Sequence, residues 1–320
     1  MTTGNKYHGK ILRHVFGPVP SRRLGHSLGV DLVPYKVCSF DCIYCQLGST
    51  TLKTIERKEY VPMDELIEDV KLKLSEKHVI DYITLSGSGE PTLYSRIAEL
   101  TQAIKNITDI PVALITNGSM LWDAEVRRDL RNLDLVIPSL DAGNSQLFSE
   151  VNRPYPELDF DMVVEGLKIF SREFKGRIWL EVFLLEGFSD LEQTVEEIAG
   201  LIDDIKLEKI QLNTVARPVC EKSARPVSRE RLLMLTKLFR QPTEVIADFK
   251  NNADIFDDSV NENDIINLLS RRPCSCKDIA DSLCMPYNEA LKIIEQLLRN
   301  HTIISEEQNG IVFYKKKIYK

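Results

Sequence analysis

The 320-residue sequence predicts an α/β protein: a partial (β/α)6 barrel over residues 1–250, a linker at 251–263 and a small C-terminal unit at 264–320. Three observations carry this. Short β-branched runs alternate six times with segments of helical period between Ser27 and Phe249. Polar residues and glycines recur directly after each run. A stretch rich in Asn and Asp, Lys250 to Asn263, then separates this pattern from one of different character.

The expected strands are Ser27–Val33, Tyr82–Ser86, Val112–Thr116, Leu135–Ser139, Ile178–Leu185 and Lys209–Thr214. Between them stand helix candidates. In Met63–Glu76, Leu66, Ile67, Val70 and Leu74 recur at spacings of three or four and share one face. The others are Ser95–Lys105, Ala124–Leu130, Met162–Phe170, Leu191–Ile202 and Arg229–Phe239. Strand followed by helix, repeated, implies a parallel sheet, because each helix returns the chain to the same end of the sheet. Six units are too few to close an eight-unit barrel. Beyond the linker, Asp264–Leu269, Cys276–Leu283 and Tyr287–Leu298 read as three short helices. Ile303–Ile304, a turn at Glu306–Gly310 and Ile311–Tyr314 read as a hairpin. Three helices and a hairpin make the winged-helix pattern.

Composition narrows the function classes. A hydrophobic content of 43% with 28% charged residues is that of an ordinary globular chain, and no apolar run nears the length a bilayer needs. Met1–Arg13 has charges but no apolar core for a signal peptide, so the expected location is the cytoplasm and no membrane partner is expected. The net charge of −7 lies in the barrel part, since the residues from Asn261 onward hold nine Lys/Arg against eight Asp/Glu. An acidic barrel argues against tight binding to a long polyanion.

In parallel α/β folds the reactive groups gather at the C-terminal ends of the strands. After the first strand comes Cys38-Ser39-Phe40-Asp41-Cys42-Ile43-Tyr44-Cys45, a C-x3-C-x2-C loop. Three thiolates on one short loop can hold three irons of a cubane cluster and leave the fourth open. A structural zinc site normally closes with four ligands, and the loop has no fourth cysteine and no histidine. Cys220, Cys274, Cys276 and Cys284 could be imagined around an auxiliary cluster, but Cys276 and Cys284 bracket a helix where small buried cysteines are common.

The cysteine spacing, with Tyr44 immediately before the last cysteine, resembles the signature of the radical S-adenosylmethionine (SAM) superfamily. Phe16-Gly-Pro-Val-Pro-Ser-Arg-Arg-Leu-Gly25 with Cys45-Gln46-Leu47-Gly48 resembles a branch of iron-sulfur oxidoreductases, distantly similar to tRNA-wyosine-forming enzymes and glycyl-radical-enzyme activases. The resemblance spans roughly residues 14 to 220. It implies a fold of the radical SAM type and a [4Fe-4S] cluster on Cys38, Cys42 and Cys45. It also implies a low-potential donor such as ferredoxin or flavodoxin, and cleavage of SAM to methionine and a 5'-deoxyadenosyl radical that abstracts hydrogen from a substrate. The cofactors carry the hard chemistry and the protein supplies position.

The other strand ends supply SAM contacts in this reading. Ser88-Gly89-Glu90 resembles the superfamily's Gly-Gly-Glu element, with Ser88 in place of the first glycine. Asn117 of Thr116-Asn117-Gly118, and Ser139 and Asp141 of Ser139-Leu140-Asp141, offer polar groups that could bond the SAM carboxylate or ribose, or form ordinary turn bonds. Tyr44 completes the set. Arg22, Arg23, Arg153 and Arg217 stand beside Pro or Gly turns and are candidate clamps for an anionic substrate; Glu181 is the candidate polar group inside the barrel.

Three function classes follow: a radical SAM enzyme acting on a small molecule or protein, an RNA-modifying relative, and an iron-sulfur redox sensor with a winged-helix module. Tyr287, Glu289, Lys292, Gln296 and Arg299 on the third tail helix are mixed in charge, and only Lys315–Lys317 form a basic run, which is thin support for RNA. A sensor needs only the cysteines, whereas this chain keeps a polar motif at every strand end.

Overall fold

The computed structural model describes residues 14–317 except 77, 218, 248–261, 284 and 309. The expected linker falls almost wholly outside the described residues, as does Cys284. In chain order the elements are β1 (Val15–Ser21), β2 (Gly25–Val30), β3 (Val37–Cys38), β4 (Leu52–Lys53), α1 (Met63–Leu74), β5 (Tyr82–Leu85), α2 (Ile97–Lys105), β6 (Val112–Thr116), α3 (Ala124–Asp129), β7 (Leu135–Pro138), α4 (Ser145–Val151), α5 (Phe160–Glu173), β8 (Arg177–Phe183), α6 (Glu192–Ile202), β9 (Lys209–Asn213), α7 (Arg229–Leu235) and β10 (Thr243–Val245). The tail adds α8 (Glu262–Arg271), β11 (Cys274–Ser275), α9 (Cys276–Ser282), α10 (Tyr287–Arg299), β12 (Ile303–Gln308) and β13 (Ile311–Lys316).

The main sheet runs β1-β2-β5-β6-β7-β8-β9-β10, parallel from β2 to β10, with β1 antiparallel at one edge. Two of its strands lie beyond the six expected. Gly17, Pro18 and Pro20 mask β1 as a turn, because proline is tolerated at a sheet edge but breaks the strand pattern. β10 has only three residues and follows Pro242. Helix α4 is also additional; it is seven residues long and starts at Asn144, whose side chain accepts from the Leu147 N–H at 3.0 Å.

The strands alternate between two environments. Val136, Ile178, Leu180 and Val182 face the helices and join the large outer core with Leu66, Val70, Leu100 and Ile198. Ala113, Leu135, Ile137 and Trp179 face the other way and pack with Leu24 in a separate inner cluster. Arg23, in the turn between β1 and β2, bonds Glu181 on β8 at 2.5 Å, and Arg22 bonds Asn213 on β9 at 3.1 Å. Strands far apart in the sheet order are thus joined through the inside, which requires a sheet rolled most of the way toward a barrel.

The tail has its own apolar cluster of Ile265, Leu268, Ile279, Ile294, Leu297 and Ile303, with Val19 of β1 packed against it. β13 pairs with β12 on one side and β11 on the other. Arg271 on α8 reaches Asp31 at 2.7 Å and lies over the Phe16 ring, so the tail rests on the β1 edge of the barrel.

Candidate functional site

The cysteine loop leaves the C-terminal end of β2 and is held at both sides. Asp41 N–H and Ile43 N–H donate to the Asn152 and Val151 carbonyls at 3.0 Å each. Cys220 N–H donates to the Cys45 carbonyl at 2.9 Å and Glu221 N–H to that of Ile43 at 3.0 Å. Phe40 and Ile43 are buried, Phe40 edge-on to Phe148, while the three thiols remain half-buried. The loop thus anchors through its apolar residues and presents its sulfurs.

Each sulfur is met by one side-chain nitrogen from a different part of the chain, and Cys38 also accepts the backbone N–H of Phe40. Asn117 Nδ2 lies 3.6 Å from Cys38 Sγ, Asn152 Nδ2 lies 3.6 Å from Cys42 Sγ, and Lys36 Nζ lies 3.1 Å from Cys45 Sγ. Lys36 is only 2% exposed. Burial opposes its charge, but Cys45 and the other two cysteines outweigh burial and hold its pKa above the ordinary lysine value. Burial, and then Glu90, push the Cys38 thiol up to about 12; burial and Cys38 raise Cys42 well above the usual thiol range. Metal ligation at Cys38 and Cys42 must therefore release their protons. Three thiols with hydrogen-bonded sulfurs, and no fourth cysteine or histidine in the loop, are the donor set a [4Fe-4S] cluster would take.

The Ser88-Gly89-Glu90 turn lies against the start of this loop. Lys36 N–H donates to the Ser88 carbonyl at 2.6 Å and Glu90 N–H to that of Val37 at 3.0 Å. A Cβ on Gly89 would sit 2.0 Å from the Val37 oxygen, which fixes glycine there. Gly87 has φ of +130° and packs against Asp31, whose Oδ1 accepts from Ser88 N–H at 2.7 Å. The Glu90 carboxylate is buried and accepts from four protein donors: Thr92 N–H at 3.0 Å, Thr92 Oγ1 at 2.5 Å, Thr116 Oγ1 at 2.7 Å and Asn117 N–H at 2.8 Å. It ties the end of β5 to the end of β6 and so sets where Asn117 points.

Asp141 is a second buried hub. Its Oδ2 accepts from Tyr44 Oη and from Asn152 Nδ2 (2.9 Å), and its Oδ1 from Phe183 N–H at 3.0 Å. Tyr44 stacks on Phe183 with ring centroids 4.1 Å apart. Burial dominates over these hydrogen bonds and pushes the Asp141 pKa up to about 6. Ser139 pairs with Glu181 across the strand ends of β7 and β8.

The substrate candidates divide. Glu181 accepts from Arg23 and from Asn213 Nδ2 (2.7 Å), and against burial the Arg23 charge and these bonds hold its pKa below the usual carboxylate value. Arg22 lies beside them, its pKa lowered to about 9 by burial and then by Arg217 and Arg23. Arg153 instead turns outward to Glu221, and buried Arg217 pairs with Asp278 of α9 at 3.3 Å. Cys274 and Cys276 direct their sulfurs to the Arg272 and Tyr287 carbonyls, and Cys220 to Ser49 Oγ at 3.1 Å. Lys36, Asn152 and Asp31 escape a motif-based reading, whereas Asn213 stands at the polar end of the sixth expected strand. Of the first three, only Lys36 carries a local signal, a lysine two residues before the first cysteine.

Parallel strands rolled into a partial barrel, with three thiols presented above their C-terminal ends, define a cluster-binding α/β enzyme class. The chain belongs to the Radical SAM superfamily, whose family model matches residues 32–202. Members bind a [4Fe-4S] cluster and SAM and cleave SAM to a radical, drawing on a reductant such as ferredoxin or flavodoxin. It is 34% identical over 310 residues to a UPF0026 protein of Methanocaldococcus jannaschii, covering 95% of this chain and 96% of that one. A protein of Brachyspira hyodysenteriae named GTPase Obg is 41% identical over 314 residues; the match covers 97% of this chain but spans only 46% of that relative. Among solved structures, a radical SAM methyltransferase from Sphaerobacter thermophilus superposes with a TM-score of 0.53 at 20% identity, over 68% of this chain and 65% of that one, a likeness of fold. Among the described residues, no helix is long and apolar enough to cross a membrane.

Proposed function

We propose that this chain reductively cleaves SAM at a [4Fe-4S] cluster held by Cys38, Cys42 and Cys45. The resulting 5'-deoxyadenosyl radical then takes a hydrogen atom from a small-molecule or protein substrate. The observation that carries this reading is the set of three thiols on one loop, each met by its own nitrogen donor, above the strand ends of a parallel barrel. Held by Cys38, Cys42 and Cys45, the cluster would supply the single electron that SAM cleavage needs.

The chain's own residues do the rest. Ser88, Gly89, Asn117 and Ser139 line the SAM pocket. Glu90 positions Asn117, and Asp141 positions Tyr44 and Asn152. Arg22, Arg23 and Glu181, with Asn213, face the interior and favour a substrate with a polar or anionic group. Arg153 pairs with Glu221, and Arg217, close enough to Arg22 to lower its pKa, pairs with Asp278. The setting is cytoplasmic and the reaction oxidoreductase-like.

The tail, residues 264–320, forms a winged-helix-like domain that orients substrate. Its charges pair among themselves, Lys292 with Glu289 and Lys315 with Glu306 at 2.6 Å each, which favours a peptide or the barrel itself over a nucleic-acid duplex as its contact. The test is acceleration of 5'-deoxyadenosine formation by candidate metabolites, peptides and RNA. A deuterated substrate that accelerates the reaction should pass deuterium into 5'-deoxyadenosine. Acceleration without that transfer would contradict hydrogen abstraction, and acceleration by RNA alone would make this an RNA-modifying enzyme.

A further inference from the structure

The three side-chain donors to the sulfurs differ in kind. Asn117 and Asn152 are neutral amides, each also tied to a neighbouring oxygen, Ser39 Oγ for one and Asp141 for the other. Lys36 is a cation. It is buried, its backbone has φ of +57°, and its N–H is fixed to Ser88, so the side chain is directed from a rigid position onto Cys45. A lysine inside a protein is costly unless a negative charge meets it. What it meets here is a sulfur of the cysteine loop.

We propose that Lys36, Asn117 and Asn152 form a donor shell that sets the reduction potential of the cluster, with Lys36 supplying the largest share through Cys45. This rests on the reading that the three cysteines hold the cluster. One-electron reduction adds one negative charge to the cluster and its thiolates. A fixed positive charge and N–H donors at the sulfurs stabilise the reduced form more than the oxidised form, so they raise the potential. The shell therefore brings the couple toward the range of a biological donor. Lys36 is a tuning residue that acts through Cys45.

The experiment uses the full-length protein, anaerobically reconstituted and without SAM. Iron and sulfide content are measured first, then the midpoint potential, by a redox titration followed through the electron paramagnetic resonance of the reduced cluster. With wild-type iron content, Lys36→Met should shift the midpoint to lower potential and Lys36→Arg should leave it near wild type. An unchanged midpoint in a fully loaded Lys36→Met protein would overturn the proposal. If Lys36→Met does not load, Lys36→Gln and Asn152→Leu decide: a lower midpoint supports the shell, an unchanged one removes it. Failure of the wild-type protein to hold iron would instead refute the cysteine reading itself.

Discussion

Asp31 and Arg271 are 240 positions apart in sequence and meet in a buried ion pair of 2.7 Å, with side-chain exposures of 8% and 9%. The other Asp31 oxygen holds the backbone N–H of Ser88. One carboxylate therefore joins the tail to the turn proposed to face SAM. Removing one partner of a buried pair costs roughly 3–5 kcal/mol, because the other is left as an uncompensated charge. Arg271→Met should lower the thermal midpoint and weaken SAM binding while keeping the iron content. Calorimetry and equilibrium binding check both; unchanged SAM affinity would mean that the Ser88 turn is held without Asp31.

Glu90 offers a different outcome. Its carboxylate satisfies four donors, and its alanine variant leaves them unpaired in a buried place, at a cost of about 2–4 kcal/mol. No cysteine sulfur bonds it. Glu90→Ala should lose stability to urea and SAM affinity together but keep its cluster spectrum, and Glu90→Gln, which retains one acceptor oxygen, should recover part of both. Loss of iron in Glu90→Ala would assign it to the cluster loop instead.

Asp141 makes stability depend on pH. Its folded pKa of about 6 lies above the ordinary 3.8, so the folded chain holds the proton more tightly than the unfolded one. The stability it contributes is full below about pH 4 and is lost as pH rises through about 6, by up to about 3 kcal/mol. Asp141→Asn cannot titrate. The thermal midpoint of the variant relative to wild type should therefore rise between pH 4 and pH 6; a constant difference would show that Asp141 does not titrate in that window.

Much of this architecture is legible in the sequence because it is written locally. A β-branched run followed by a polar turn marks a strand end, and the C-x3-C-x2-C spacing lies within eight residues. What is not legible depends on distant pairing. β1 is hidden by its prolines and exists because it pairs with β2. Asn152 reads as an ordinary helix end until the fold brings it to Cys42, 110 residues away. Arg217, beside a proline turn, reads as a candidate clamp, and its pairing with Asp278 of α9, 61 residues away, is not visible in the sequence. Glu90 carries the motif, yet of its four donors only the two on Thr92 are local, and Thr116 and Asn117 come from the end of β6.

The central claim is that Cys38, Cys42 and Cys45 hold the cluster that cleaves SAM. The most direct measurement incubates anaerobic, chemically reduced protein with SAM and quantifies products for wild type and for the variant with all three cysteines changed to alanine. Wild type should form 5'-deoxyadenosine and methionine in equal amounts, and the variant should hold no cluster and form neither. Methylthioadenosine as the main product, or undiminished 5'-deoxyadenosine from the triple variant, would contradict the account.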